Sequence, residues 1–172
     1  MSELNRLHEA ISATIKAALP QFETVDAYGQ ADQHTALPAL FHSISSLKPA
    51  NDPGDGRSCV IATVEARIVI DSARQHAALE AVTLATQLIV LLRKQFWELE
   101  FVEAAMSVLA EPVQPAPGAT PVVGWLVQWQ QILHLGTVQW PWPDQPGPLA
   151  FAFSPDTGPG FEGGYQSPED LQ

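Results

Sequence analysis

The chain has 172 residues, of which 46% are hydrophobic and 16% are charged, a composition that favours one folded domain with a sizeable core and excludes a disordered chain. The net charge is −11, because 8 Lys and Arg are set against 19 Asp and Glu, which argues against nucleic-acid binding over a broad face. The single cysteine, Cys59, excludes an intrachain disulfide and a cysteine-rich zinc site, and we expect it to be a buried thiol.

Neither export nor membrane insertion is expected from the sequence. The N-terminal segment MSELNRLHEAI lacks the basic start and apolar core of a signal peptide. The longest apolar run, residues 88–92, is too short to span a bilayer. We therefore expect a soluble protein made in a reducing cytoplasm.

The first half of the chain predicts a helix followed by strands. Apolar residues recur every three or four positions from Leu4 to Leu19, which predicts a helix ending near Pro20. A short strand is expected within 22–28. A longer one is expected over 37–47, with odd positions such as Phe41 on its apolar side. The turn-forming run NDPGDG at 51–56 then reverses the chain.

A strand and a second helix are predicted next. Even positions from Val60 to Ile70 are apolar, which predicts a strand with one face in the core. Ser72 and Gln75 have the spacing of a capping box, so we expect a helix from there to about Gln95. Apolar residues of this helix also lie outside its core stripe, and they predict a cover from a neighbouring element or subunit. These residues are Leu79, Val82, Ile89 and Val90.

Two more strands and an arm are predicted in the last third of the chain. A strand is expected over 105–113 and a turn over 115–121. A long strand is expected over 123–135, where apolar residues alternate with Gln128, Gln130 and His134. After residue 137 prolines and glycines dominate and no period is visible. We predict one α+β domain over 1–137, with a mainly antiparallel sheet packed against two helices, and an extended C-terminal arm over 138–172.

A search for chemistry finds no recognisable site. None of the five histidines has the spacing of a helical metal site, and we interpret them as isolated surface or edge residues. The 51–57 loop resembles a calcium loop superficially, but Pro53 occupies a ligand position and Ala62 stands where the closing Glu belongs. No nucleophile elbow or phosphate loop is present. We expect no catalytic residue, no cofactor and no metal site, and no enzymatic activity.

Five segments carry a resemblance to a known family. They are LNRLHEAISATIKAALP, the strand and loop LPALFHSISSLKPANDPGDGR, the strand and helix CVIATVEARIVIDSARQHAALEAVTLATQLIVLL, the strand VGWLVQWQQILHLG, and the end SPDTGPGFEGGYQSPEDL. In pattern and order, over nearly the whole chain, they resemble the tail-terminator, or tail-completion, proteins of long-tailed phages and Mu-like prophages.

The resemblance implies a structural virion protein at the junction of tail and neck, made in the bacterial host. Such proteins form a hexameric ring that caps the tail tube and presents a surface to the head connector. The implied partners are copies of the chain itself, the tail tube protein and a neck protein, while DNA passes through the ring without specific binding.

Candidate subunit contacts can be named on this reading. A ring needs two different patches on each subunit. We place the 51–57 loop and the outward side of the second helix on these patches, and we expect aromatic anchors in the arm. The residues are Asn51, Asp52, Asp55, Arg57, Leu79, Val82, Ile89, Trp140, Trp142, Phe151 and Phe153.

Alternatives stay open. The chain could be another neck or head–tail joining protein. In a different class, it could be a small cytosolic ligand-binding domain or enzyme whose site is assembled from residues distant in sequence.

Overall fold

A computed structural model describes residues 2–32, 34–113, 122–139, 150–153, 157–158 and 160–168. The chain divides into two compact units, Met1–Gln139 and Trp140–Gln172. The turn expected over 115–121 lies outside the described residues.

The first unit contains two helices and a five-stranded sheet. In chain order the elements are α1 (Glu3–Ala18), β1 (Thr24–Ala27), β2 (Ala39–Pro49), β3 (Ser58–Asp71), α2 (Ala77–Leu92), β4 (Met106–Val113) and β5 (Val122–Leu135). The strand order across the sheet is β1-β2-β3-β5-β4. Only the β1–β2 pair is parallel, and the other three pairs are antiparallel. The predicted α+β class, with a mainly antiparallel sheet and two helices, is confirmed.

The core lies between the two helices and one face of the sheet. Even positions of β3, such as Val64 and Ala66, are in register with Trp129 and Val127 of β5 on this face. The buried stripes of α1 and α2 pack against the same face in one hydrophobic cluster. Each large apolar side chain buried there stabilises the fold by about 1.5–3 kcal/mol. The alternation predicted for both central strands follows from this arrangement.

The odd positions at the start of β2 are apolar as predicted, but the main core faces the even positions there. At its start the strand is buried on both faces, since Leu40 lies in the main cluster and Phe41 packs on the opposite side with Ala39 and Val69. An irregularity between Ile44 and Ser46 then shifts the register. A bulge reverses which positions face the core, so an odd-position pattern could not hold along the strand.

The expected capping box of α2 is also wrong. The helix begins at Ala77, so Ser72 and Gln75 lie in the turns before it. The N-cap residue is His76, which has a left-handed backbone (φ 62) and makes no side-chain capping hydrogen bond. By contrast, Ser2 caps α1 by accepting a hydrogen bond from the Asn5 amide.

The second unit has little regular structure in its described residues. Phe151 and Gln166 exchange two backbone hydrogen bonds of 2.7 and 2.8 Å. A 3₁₀ turn spans Glu162–Gly164, and the Tyr165 hydroxyl accepts a hydrogen bond from the Gly158 amide. Within the part of the chain that the structure describes, no helix is long and apolar enough to cross a membrane.

Candidate functional site

The loop between β2 and β3 is held together by its own acidic residues. The Asp52 carboxylate accepts a hydrogen bond of 2.9 Å from the Cys59 amide. Asp55 accepts hydrogen bonds from the amide and Nε of Arg57 and forms an ion pair of 2.7 Å with the same guanidinium. Hydrogen bonds from Arg57 lower the pKa of Asp55, so this carboxylate stays charged. Asp52 and Asp55 therefore shape the loop. Of the four predicted contact residues in the loop, Asn51 is the one that is exposed and has no side-chain hydrogen bond within the described part of the chain.

The outward side of α2 is an exposed apolar surface, as its off-stripe residues predicted. Leu79 is 65% exposed and Val90 is 68% exposed, while Ile89 is exposed and Val82 is half-buried. A shallow cleft of about 280 Å³ opens beside Leu79 and Thr83, with Gln21 on its other side. His76 and Glu80 also line the cleft, and its aliphatic edge suits a contact with another protein surface.

The predicted aromatic anchors of the arm are only partly described. Phe151 and Phe153 are both exposed within the second unit. Trp140 and Trp142 lie outside the described residues. Of the predicted contact residues, the structure thus brings together those of the loop and, separately, those of α2.

A polar cluster that the sequence reading missed lies beneath α1. His42 of β2 is fully buried and faces the helices, since it is in register with Ala66. Its Nε2 is 2.8 Å from the Ser12 hydroxyl, and its Nδ1 is 3.4 Å from Nδ1 of His8. The His8 ring in turn packs edge-on against Tyr28. The expectation that His8 and His42 are isolated surface or edge residues is wrong.

Burial determines the charge of this cluster. Desolvation, followed by the proximity of His8, lowers the pKa of His42 to about 4, against a smaller opposing effect of Asp26. Desolvation also lowers the pKa of His8. Both imidazoles are therefore neutral at pH 7, and each can accept one hydrogen bond and donate one in the Ser12–His42–His8 chain of contacts. The sequence pattern did not indicate the cluster, because the odd-position reading of β2 placed His42 on the polar side of the strand.

A second buried polar group is Gln131, in the middle of the apolar face of β5. Its side-chain oxygen accepts hydrogen bonds from the indole nitrogens of Trp97 (2.6 Å) and Trp129 (3.1 Å). Its nitrogen donates to the carbonyls of Gln95 and Glu103. All its hydrogen-bonding groups are satisfied, so Gln131 joins β5 to the connection between α2 and β4.

On β5, His134 forms a contact of 2.7 Å with Glu103, and Cys59 lies opposite His134 in the register of β3 and β5. Burial raises the pKa of the Cys59 thiol, which disfavours the reactive thiolate. Among the described residues, no group of three or more His, Cys, Asp or Glu could hold a metal ion.

No protein-family model matches the chain, and no curated protein matches its sequence significantly. A function is therefore inferred from the order of the elements and from the exposed surfaces.

Proposed function

We propose that the chain is a structural phage protein of the tail-terminator type. It caps the tail tube as a ring of identical subunits, ends tail polymerisation and provides the surface for head–tail joining. Its partners are other copies of itself, the tail tube protein and a neck protein.

The observation that carries the proposal is the order of the elements. The segments that resemble tail terminators correspond to α1, to β2 with its acidic loop, to β3 followed by α2, and to β5. They form one sheet covered by two helices, which is the α/β domain that the resemblance implies.

The exposed surfaces support an assembly role. Leu79, Ile89 and Val90 on α2, and Phe151 and Phe153 in the second unit, are large apolar residues left exposed in the single chain. Exposed apolar groups that lie together are typical of surfaces that another protein covers. Repeated around a ring, even modest contacts at such surfaces add up to a stable assembly.

The deciding experiment is electron microscopy of particles made without this protein. We expect tails of uncontrolled length, because nothing ends the growth of the tube. Tails of normal length that lack heads would instead assign the chain to head–tail joining. Normal, complete particles would show that the chain has no role in tail assembly.

One observation favours a second candidate, a small enzyme or ligand-binding domain. The contacts of 2.8 Å from Ser12 to His42 and 3.4 Å from His42 to His8 resemble a nucleophile with a base and a third group that orients the base. Under this alternative a fluorophosphonate probe would label Ser12 in the folded protein, and Ser12→Ala would abolish the labelling. Under the structural proposal Ser12 stays unlabelled.

A further inference from the structure

Four residues on the outward side of α2 form a stripe with a regular spacing. Leu79, Thr83, Thr86 and Val90 are separated by four, three and four residues, and all four are exposed. This spacing is that of alternating d and a positions in a heptad, the seam along which two helices pack. We call these four residues the α2 stripe.

The two threonines do not make the α2 stripe polar. The Thr83 hydroxyl donates a hydrogen bond of 2.7 Å to the Leu79 carbonyl, and the Thr86 hydroxyl donates one of 2.8 Å to the Val82 carbonyl. With its hydroxyl bound to the backbone of its own helix, each threonine needs no polar partner outside the helix. The segment 81–92 also contains no charged residue. The groups that the α2 stripe exposes are therefore aliphatic, and a contact that covers them would remove apolar surface from water.

We propose that the α2 stripe packs antiparallel against the same stripe of a second copy. The stripe is symmetric about its centre, with a large aliphatic residue at each end and two threonines between them. A twofold axis through the centre places Leu79 against the partner's Val90, and it places Thr83 against the partner's Thr86. Antiparallel helix pairs match a with d positions in this way, and small central residues allow the helices to approach closely.

The charges at the two ends of α2 favour the antiparallel orientation. The N-terminal end carries Asp71 together with the Arg74–Glu80 ion pair, which leaves it with one net negative charge. The C-terminal end carries Arg93 and Lys94 together with Glu98, which leaves it with one net positive charge, and neither cation has an ion-pair partner among the described residues. An antiparallel pair brings each acidic end beside a basic end, whereas a parallel pair would bring like charges together.

This contact and the proposed ring contact compete for the same side of α2, because both would bury Leu79 and Val90. A twofold contact uses the same patch on both copies, so it cannot join consecutive subunits of a ring that has rotational symmetry alone. It would join two free chains. One helix side is smaller than the roughly 800 Å² per partner of a standard interface, so we expect a weak, concentration-dependent dimer.

The first test is sedimentation velocity of the full chain over a concentration series. We expect a reversible monomer–dimer equilibrium. Leu79→Lys and Val90→Lys should each raise the dimer dissociation constant at least about tenfold, a change of about 1.4 kcal/mol. Ala78→Lys is the matched control, because this exposed residue of the same helical turn points away from the α2 stripe, and it should leave the constant unchanged.

The second test determines the orientation and does not depend on destabilising variants. Thr83→Cys and Thr86→Cys chains, each also carrying Cys59→Ala and a different affinity tag, are mixed and oxidised. An antiparallel pair yields mainly the mixed disulfide, whereas a parallel pair yields two homodisulfides.

A chain that is monomeric at every concentration would overturn the proposal, as would a dimer that is insensitive to Leu79→Lys and Val90→Lys. Predominant homodisulfides would overturn the antiparallel arrangement. The tail-length experiment is separate, so a failure of either proposal can be recognised without the other.

Discussion

At the scale of single residues, Gln131 shows how one buried polar side chain fixes an irregular segment. The connection between α2 and β4 contains three non-glycine residues with left-handed backbones, Lys94, Trp97 and Glu98. Such conformations are disfavoured for residues with a Cβ and persist where surrounding contacts hold them. Three of the four hydrogen bonds of Gln131 reach this connection from a single position on β5. They join Gln131 to the Trp97 indole and to the carbonyls of Gln95 and Glu103.

We predict that Gln131→Leu lowers the free energy of unfolding by about 2–5 kcal/mol, because it leaves two buried indole N–H groups without partners and removes one hydrogen bond from each of two backbone carbonyls. Urea denaturation followed by tryptophan fluorescence measures the loss. Gln130→Leu is the control, since Gln130 lies on the opposite face of the same strand and is only half-buried. Equal stabilities of the two variants would contradict the role assigned to Gln131.

The buried His42 predicts a dependence of stability on pH. Its pKa is about 4 in the folded chain, against an ordinary value of 6.5. Above pH 6.5 both states are neutral at this residue and the stability is unaffected. Between pH 6.5 and 4 only the unfolded chain takes up the proton, so stability falls with falling pH, by on the order of 2–3 kcal/mol at pH 4.

Unfolding free energies of the natural chain and of His42→Gln, measured from pH 7 to pH 4, test this dependence. The natural chain should lose more stability over that range than the variant, whose amide can still bind Ser12 but does not titrate. His34→Gln replaces an exposed histidine and should keep the full pH dependence. Parallel curves for the natural chain and His42→Gln would rule out the buried histidine as the cause.

At the scale of elements, the sequence correctly predicted the helix and strands whose apolar residues follow one period from end to end. The stripe of α1 and the alternation of β3 and β5 are local consequences of packing on one face, so they could be read without a structure. The phase of β2 could not be predicted from the sequence, because a bulge after Ile44 and burial on both faces break the period. The partners of His42 and Gln131 lie 28 or more residues away, apart from Trp129, and no local pattern indicates such pairs.

To test whether the loop between β2 and β3 contacts a neighbouring subunit, a substitution must leave the shape of the loop unchanged. Replacing Asp52 or Asp55 would remove the bonds to Cys59 and Arg57 that order the loop. We predict that Asn51→Lys leaves the thermal midpoint within about 2 °C, as expected for an exposed site, yet weakens tail capping if the loop touches a neighbouring subunit. Unchanged capping together with unchanged stability would show that the loop does not take part in the subunit contact.

At the scale of the whole molecule, the charge distribution predicts negligible affinity for DNA at physiological salt. The net charge is −11, and three of the eight basic residues, Arg6, Arg57 and Arg74, are already in ion pairs with carboxylates. Few cations are left to displace counterions from a duplex. Fluorescence anisotropy with a labelled duplex should show no binding, and salt-dependent binding in the micromolar range would refute the prediction.

The last prediction concerns the C-terminal segment, which contains exposed aromatic residues. The first compact unit extends to Gln139, whose amide donates a hydrogen bond of 2.8 Å to the Asp55 carbonyl. A truncation should therefore follow Gln139, because a cut after Gly136 would also remove this bond to the loop.

We expect the chain shortened to residues 1–139 to keep cooperative thermal unfolding, because it retains the sheet, both helices and the main hydrophobic cluster. We also expect it to lose tail capping, because aromatic groups that dock on a neighbour contribute on the order of 1–3 kcal/mol each to assembly. Calorimetry and electron microscopy of reconstituted tails measure the two effects separately. A loss of cooperative unfolding would show instead that the segment belongs to the core, and full capping by the shortened chain would show that assembly does not need it.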